Sequence, residues 1–328
     1  MPAIIVRVTN DKAQVEKFIA AGFCPVECSI GGSSLVDDLL MDHHGALSHL
    51  ESVAIRAYRD HFGARAEDPR FVIVGAPDAD ATFCVAALAG ILPHPDKDVS
   101  GLPPFLHAGA QRDLSDLATT VALIDTDPIG RNISRLPFGD ILLTWNALMA
   151  TAPQTSLSGE MGVGLWRQLV SGCPAHKPLL AAGLTTEAVR REAAEAEDLN
   201  HVGIATKIGF ITDSTTWGFD VWYGRRLQDG GPEDFDGWRL PVVLARVAGA
   251  HNITIGCPNK AVAEELFGEG GLKNVFPLLD EVAPGWGGRE AIGGSPRGAK
   301  LTEAQLHSCV LIVQNAIVAE LDRQTASA

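Results

Sequence analysis

The chain has 328 residues and a formal net charge of −14. That length exceeds the roughly 100–200 residues of one ordinary domain, so two domains are expected. The acidic balance, with no Lys/Arg cluster, disfavours duplex and long nucleic acid and leaves small phosphorylated ligands or short oligonucleotides as partners.

No basic-headed leader is read at the N-terminus, and no apolar stretch approaches about 18 residues, so a cytoplasmic protein without a membrane partner is expected. A homodimer is compatible with the sequence. The 34 glycines and 19 prolines imply many tight turns, which suits an α/β protein with short loops.

Ala3–Val8 (AIIVRV) is β-branched and short, predicting a strand, and Asp11–Ala20 has helical character. Ser34–Met41 predicts a strand ending at Asp42, after which Leu47, Leu50, Val53, Ala54 and Ala57 recur at helical spacing. Phe71–Val74 (FVIV) is the continuous apolar run of a strand buried on both faces, and Thr82–Leu92 predicts an apolar helix. Val121–Ile124 (VALI) predicts a further strand, running into Asp125-Thr126-Asp127. Strands that end in acidic or His-bearing turns suit a parallel sheet, whose ligands bind beyond the strands' carboxyl ends.

The Ala-, Glu- and Arg-rich stretch TTEAVRREAAEAEDL predicts an exposed connecting helix. Beyond it, IATKIGFITD, FDVWYGR and ITIGC read as strands, while GGRE and GGSPRG place glycines where backbone approaches a ligand or another strand. The expected organisation is a mainly parallel-sheet α/β domain over 1–165, a helical connection over 166–200 and a smaller mixed-sheet α/β domain over 201–328.

Three turns can carry chemistry. Asp42-His43-His44 offers carboxylate and imidazole donors suited to Mn²⁺, Zn²⁺ or Fe; its alternative role is a helix N-cap followed by two exposed histidines. Pro77-Asp78-Ala79-Asp80 can turn two carboxylates toward one cation, or simply cap the following helix. Asp125-Thr126-Asp127 has the same two readings. Cys24 and Cys28 have CxxxC spacing without a second pair to complete a zinc site, which favours packing.

Together, DHH at the end of one predicted strand, PDAD before a helix and IDTD closing a third segment resemble the signature motifs of the DHH phosphoesterases. That superfamily includes single-strand nucleases, oligoribonucleases, cyclic-dinucleotide phosphodiesterases and family II inorganic pyrophosphatases. The C-terminal GWGGREAIGGSPRG, preceded by EELFGEGGLK, resembles the glycine-rich signature of the companion DHH-associated (DHHA1) substrate domain. The resemblance implies a hydrolase of phosphoesters that uses a divalent metal, manganese foremost, with Mg²⁺, Zn²⁺ or Fe²⁺ as alternatives, and that works in an interdomain cleft. It implies Asp78, Asp80, Asp125 and His43 as metal ligands, His44 at the substrate phosphate and Asp42 steadying the histidines. It also implies Arg289, Arg297, Gly287, Gly288, Gly293 and Gly294 as substrate-binding residues.

The motifs depart from the family in two ways. DHH precedes PDAD here, which implies a permuted sheet, and the histidine the family carries four residues before its first aspartate is replaced by Val74. His94 or His107 are the candidates to supply the missing donor, and Asp140 is the candidate for a fourth family aspartate. A non-catalytic ligand-binding or regulatory protein on the same scaffold is the competing expectation. A dinucleotide-binding oxidoreductase is disfavoured because no G-x-G-x-x-G follows the first strand.

Overall fold

The computed structural model describes residues 3–30, 33–35, 41–44, 47, 50–96, 113–126, 133, 136–153, 155–202, 208–224, 238–296 and 298–327. The chain forms two compact units, Met1–Thr126 with Ile133–Glu187, and Ala188–Ala328. The division falls within a single helix of the segment expected to connect the domains.

In the first unit, β1 (Ile5–Val8) leads to α1 (Lys12–Ala20), whose N-cap Asp11 accepts from the Ala13 and Gln14 amides. Strand β2 (Cys24–Val26) and a short hairpin, β3 (Ser29–Ile30) and β4 (Ser33–Ser34), come before α2 (Val53–Asp60). Then follow β5 (Arg70–Ile73) and α3 (Ala79–Leu88). Strands β1, β5 and β2 form a parallel sheet in that order, and Met41 adds a parallel bridge beside Val26. Most of the strand expected over Ser34–Met41 lies outside the described residues. Strand β2 was not expected; it is three residues long and contains Pro25, which interrupts a strand pattern in a sequence.

The central strand β5 alternates between two cores. Phe71 and Ile73 face the helical layer of α2 and α3, while Val72 packs with Val15 of α1, Cys28 and Val74. Burial on both faces explains its unbroken apolar run.

Helices α4 (Ser115–Thr126), α5 (Gly139–Thr151), α6 (Ser158–Val170) and α7 (Lys177–Ala196) complete the helical content that begins in this unit. Helix α4 corrects the strand expected at Val121–Ile124. Its buried residues Leu117, Ala118, Val121 and Ala122 have helical spacing, and a four-residue apolar run cannot by itself separate strand from helix. At the centre of the core, the Trp145 and Trp166 rings stack with centroids 5.0 Å apart. Both indoles are satisfied: Trp145 Nε1 donates to the Gly162 carbonyl and Trp166 Nε1 to Thr82 Oγ1, each at 2.9 Å.

The second unit is built on a six-stranded mixed sheet of order β10-β11-β9-β8-β7-β6. Its elements are β6 (Asn200–Val202), β7 (Ile208–Ser214), α8 (Phe219–Trp222), β8 (Val242–Val247) and β9 (Ile253–Gly256). They continue with α9 (Lys260–Phe267), α10 (Phe276–Leu279), β10 (Gly287–Gly288), β11 (Ile292–Gly294) and α11 (Glu303–Ser327). Strands β7 and β8 are parallel and the other pairings antiparallel. Segment FDVWYGR, expected as a strand, begins instead with helix α8, because Phe219, Trp222 and Tyr223 bury one helical face.

One described helix, Glu303–Ala326, is long and apolar enough by length and composition to cross a membrane, contrary to the expectation that no such segment exists. His307, Ser308, Gln314 and Asn315 break its apolar run in the sequence. About a third of its most apolar window is buried, and Leu306, Cys309, Val310, Val313 and Ile317 pack into the core of the second unit.

Helix α6 packs against β1 through Gly159, where an added Cβ would lie 2.5 Å from Val6 Cγ1 and 2.8 Å from Val6 Cβ. Valine is stiff at χ1 and cannot swing clear. Gly159→Ala is therefore expected to destabilise the first unit by about 1–3 kcal/mol, read as a lower urea midpoint; an unchanged midpoint would contradict this packing.

Candidate metal centre

The site lies where three chain segments leave one sheet. Strand β2 ends at Val26 and delivers Glu27, the chain passing Met41 delivers Asp42, His43 and His44, and β5 leads into the turn of Asp78 and Asp80. Parallel strands place their carboxyl ends, and the turns beyond them, on one edge. Helix α4 brings Asp125 from elsewhere.

The centre of the arrangement is His43, which is buried. Its Nε2 is 2.8 Å from Glu27 Oε1, 3.4 Å from Asp80 Oδ2 and 3.4 Å from Asp125 Oδ2. Glu27 and Asp80 are themselves buried, and Asp125 is mostly covered. Two sets of donors each have all ligand atoms within 4.8 Å of one another: Glu27, His43 and His44, and His43, Asp80 and Asp125.

Asp80 has a structural duty besides. In the first turn of α3, it accepts from Ser52 Oγ, the Val53 amide at 3.3 Å and the Ala54 amide at 3.1 Å, so it caps α2 from outside that helix. This fixes its carboxylate and aims Oδ2 at His43. Asp78 is the N-cap of its own helix, accepting from the Ala81 amide at 2.9 Å. The sequence offered ligation or capping of the following helix for these two aspartates; Asp78 caps that helix, whereas Asp80 caps α2 instead.

Asp42 is fully buried and grips His44, accepting from its backbone amide at 3.0 Å and pairing with ring Nδ1 at 3.1 Å. Nδ1 against a carboxylate carries the proton, which leaves the lone pair of His44 on Nε2. Ser34 Oγ also donates to Asp42, and Arg56 Nη2 donates to its carbonyl at 2.6 Å, pinning the turn. Burial works to raise the Asp42 pKa, but the hydrogen bonds from His44 and Ser34 outweigh it and hold the carboxyl below the ordinary range.

The other acids move the opposite way. Burial, then the charge of Asp125, pushes Asp80 up to about 8. Burial, then the charges of Asp78, Asp80 and Asp125, pushes Glu27 well above the usual carboxylate range. Asp78 rises to about 6 through desolvation by the dense protein around it and then Asp125. The Asp78 residue is open to solvent, which moderates that effect. Carboxylates gathered in this way repel one another unless protons or a cation intervene. Several carboxylate oxygens with imidazole nitrogen make a donor set that fits a hard or borderline divalent ion, so the residues present suit such a metal.

The structure brings His43, Asp80 and Asp125 together, with His44 and Asp42 beside them and Asp78 close enough to raise the pKa of Glu27. Val74, where the family resemblance would place a histidine, is buried against Val15 and Val72 in the α1 layer. His94 is buried among the rings of Tyr58 and Phe62, at centroid distances of 4.9 and 4.6 Å, and belongs to neither donor set. Asp140 is exposed in the first turn of α5, and His107 lies outside the described residues.

Glu27 was missed by sequence reasoning. The signal was present, since CPVEC is a short strand ending in an acid like the other segments, but Pro25 hid the strand. No cysteine joins either donor set among the described residues. Cys28 Sγ donates to the Val72 carbonyl at 3.3 Å, and burial holds its thiol up at about 12.

In the second unit the glycine-rich stretch forms the hairpin of β10 and β11, with the Arg289 amide donating to the Ile292 carbonyl at 2.7 Å. Packing accounts for two of its glycines. A Cβ on Gly288 would lie 2.2 Å from the Ile292 carbonyl oxygen, and one on Gly293 would lie 2.3 Å from the Phe276 ring. Gly287 faces open space and Gly294 lies 3.3 Å from the Ile253 carbonyl by the same measure. Segment EELFGEGGLK packs onto this hairpin through Lys273 Nζ and Glu290 Oε1, 2.6 Å apart. Arg297 lies outside the described residues.

The chain matches no protein-family model, and neither a curated protein nor a solved structure is significantly similar to it.

An acid whose pKa rises on folding holds its proton more tightly in the folded state. For Asp80 the resulting stability is complete below the unfolded value of 3.8 and is lost as pH rises through about 8. Melting in chelator is therefore expected to fall between pH 6 and 8, and Asp80→Asn, which keeps one acceptor oxygen for the α2 cap, should flatten that slope. Saturating Mn²⁺ should restore the wild-type midpoint at pH 8. A wild-type midpoint constant across this window would rule out the crowding of charge described here.

Proposed function

We propose that the chain is a divalent-metal-dependent phosphoester hydrolase of the DHH type, acting on a small phosphoester or short oligonucleotide, with Mn²⁺ as the preferred ion. The observation that carries the reading is the convergence of Glu27, Asp80 and Asp125, from three separate segments, on the Nε2 of buried His43.

His43, Asp80 and Asp125 would hold the cation. When bound, it supplies Lewis acidity toward a phosphoryl oxygen and offsets the negative charge of the carboxylates. Around it, His44 is half-exposed and held by Asp42, so its Nε2 can meet a phosphoryl or leaving-group oxygen. Asp78, at the solvent side with its pKa raised above the ordinary carboxylate value, can take or return a proton there. Buried Asp42 keeps its charge and steadies the His44 ring. The acidic surface balance favours small substrates over long polyanions.

Purified protein assayed with bis(p-nitrophenyl) phosphate is expected to turn over only with added Mn²⁺ and to contain bound transition metal by elemental analysis. Asp78→Asn, which preserves the helix cap, should lower kcat by about 10²-fold or more. Absence of both metal and turnover would leave a ligand-binding protein on the same scaffold.

A further inference from the structure

The outer face of α11 is left uncovered within one chain. Its core side is set by Leu306, Cys309, Val310, Val313 and Ile317, which pack into the second unit. On the opposite side Ala304, Ser308, Leu311, Asn315, Val318 and Asp322 are all exposed, Leu311 by 60% and Val318 by 46%. The most apolar window of the helix is 33% buried, so a single chain does not cover it. Covering Leu311 and Val318 would recover the hydrophobic free energy of that surface.

The exposed positions follow one another at spacings of four, three, four, three and four residues, the alternation of a coiled-coil seam. In heptad terms Ala304, Leu311 and Val318 occupy d, while Ser308, Asn315 and Asp322 occupy a. Leucine at d with a single asparagine at a central a position is an arrangement that fixes register and oligomer number in paired helices. Charge favours the same occupant. The chain carries a net −14, yet no Asp, Glu, Lys or Arg stands among the solvent-facing positions from Ala304 to Leu321, so along this strip two acidic copies meet with least repulsion. A lipid surface fits less well: Ser308 and Asn315 would enter hydrocarbon without partners, whereas a second copy offers Asn315 the same amide in return.

We propose that this face of α11 is an interface to a second copy of the chain, with the two helices parallel and in register as a short coiled coil. Each seam residue then meets the same residue of the other copy, so Leu311 and Val318 form apolar layers on either side of an Asn315 amide pair. Asp322 falls near the end of the seam, where its charge stays in water and is screened. The strip is about 30 Å long and about 10 Å wide, roughly 300 Å² per chain, below the ~800 Å² per partner of a stable interface. The association is therefore weak and reversible. It belongs to the second unit and does not depend on the metal centre of the first.

The test is sedimentation velocity of the full chain from about 1 µM to about 500 µM, a range that brackets weak association. The mass of wild type is expected to move from the monomer value toward the dimer value as concentration rises. Leu311→Glu and Val318→Glu, both at exposed positions, should each raise the dissociation constant at least about tenfold while leaving the circular dichroism spectrum unchanged. Asn315→Cys should give a disulfide-linked dimer on mild oxidation that wild type does not, because an in-register seam brings the two new thiols together. A wild type that stays monomeric to the highest concentration would overturn self-association, and binding of that monomer to phosphatidylglycerol vesicles would assign the face to a lipid surface. A dimer that survives both glutamate variants would overturn this interface. Loss of the dimer in those variants without a cross-link at position 315 would overturn the parallel register.

Discussion

Crowding of negative charge around one buried imidazole is the constraint on which the rest of the first unit depends. Three carboxylates meet at His43 Nε2, and two of them are buried. Such a cluster stores repulsion that folding alone does not relieve. Burial first, and that repulsion after it, raises the pKa values of Asp80 and Glu27 toward proton uptake, and a divalent cation would relieve the repulsion by displacing those protons.

The scaffold holds the acids in place by giving them other work. Asp80 caps α2 and Asp78 caps α3, so each carboxylate is oriented by backbone amides before any ion arrives. Asp42 grips His44, and Arg56 grips Asp42 through its carbonyl. Preorganisation of this kind lowers the cost of assembling a site at the moment of binding. It also means that removing any one of these aspartates outright disturbs a helix start or a turn together with the chemistry, so amide replacements are the informative ones.

The glycine-rich hairpin of the second unit has a different logic. Gly288 and Gly293 are demanded by the closeness of the Ile292 carbonyl and the Phe276 ring, so these glycines serve packing. Gly287 stands in open space, where a side chain would meet nothing within 4 Å. Arg289 closes the turn through its amide. At Gly288 and Gly293 what approaches closely is the protein's own backbone and core.

The sequence by itself determined the α/β class, the strands at β1, β5, β7 and β9 and the helical character after Asp11, and it singled out DHH and PDAD as candidate chemistry-bearing turns. These were legible because strand runs, helix caps and acidic turns are local patterns governed by nearest neighbours along the chain. Only the tertiary structure decided that VALI is helical, that FDVW is helical and that Pro25 lies in a strand, since each depends on which face is buried and against what. Only the tertiary structure, likewise, brought Glu27 to His43 across sixteen residues and turned Val74 toward α1. Direction across a sheet and proximity between strand ends come from pairing order, and the order β1-β5-β2 is a property of the folded chain that no local spacing records.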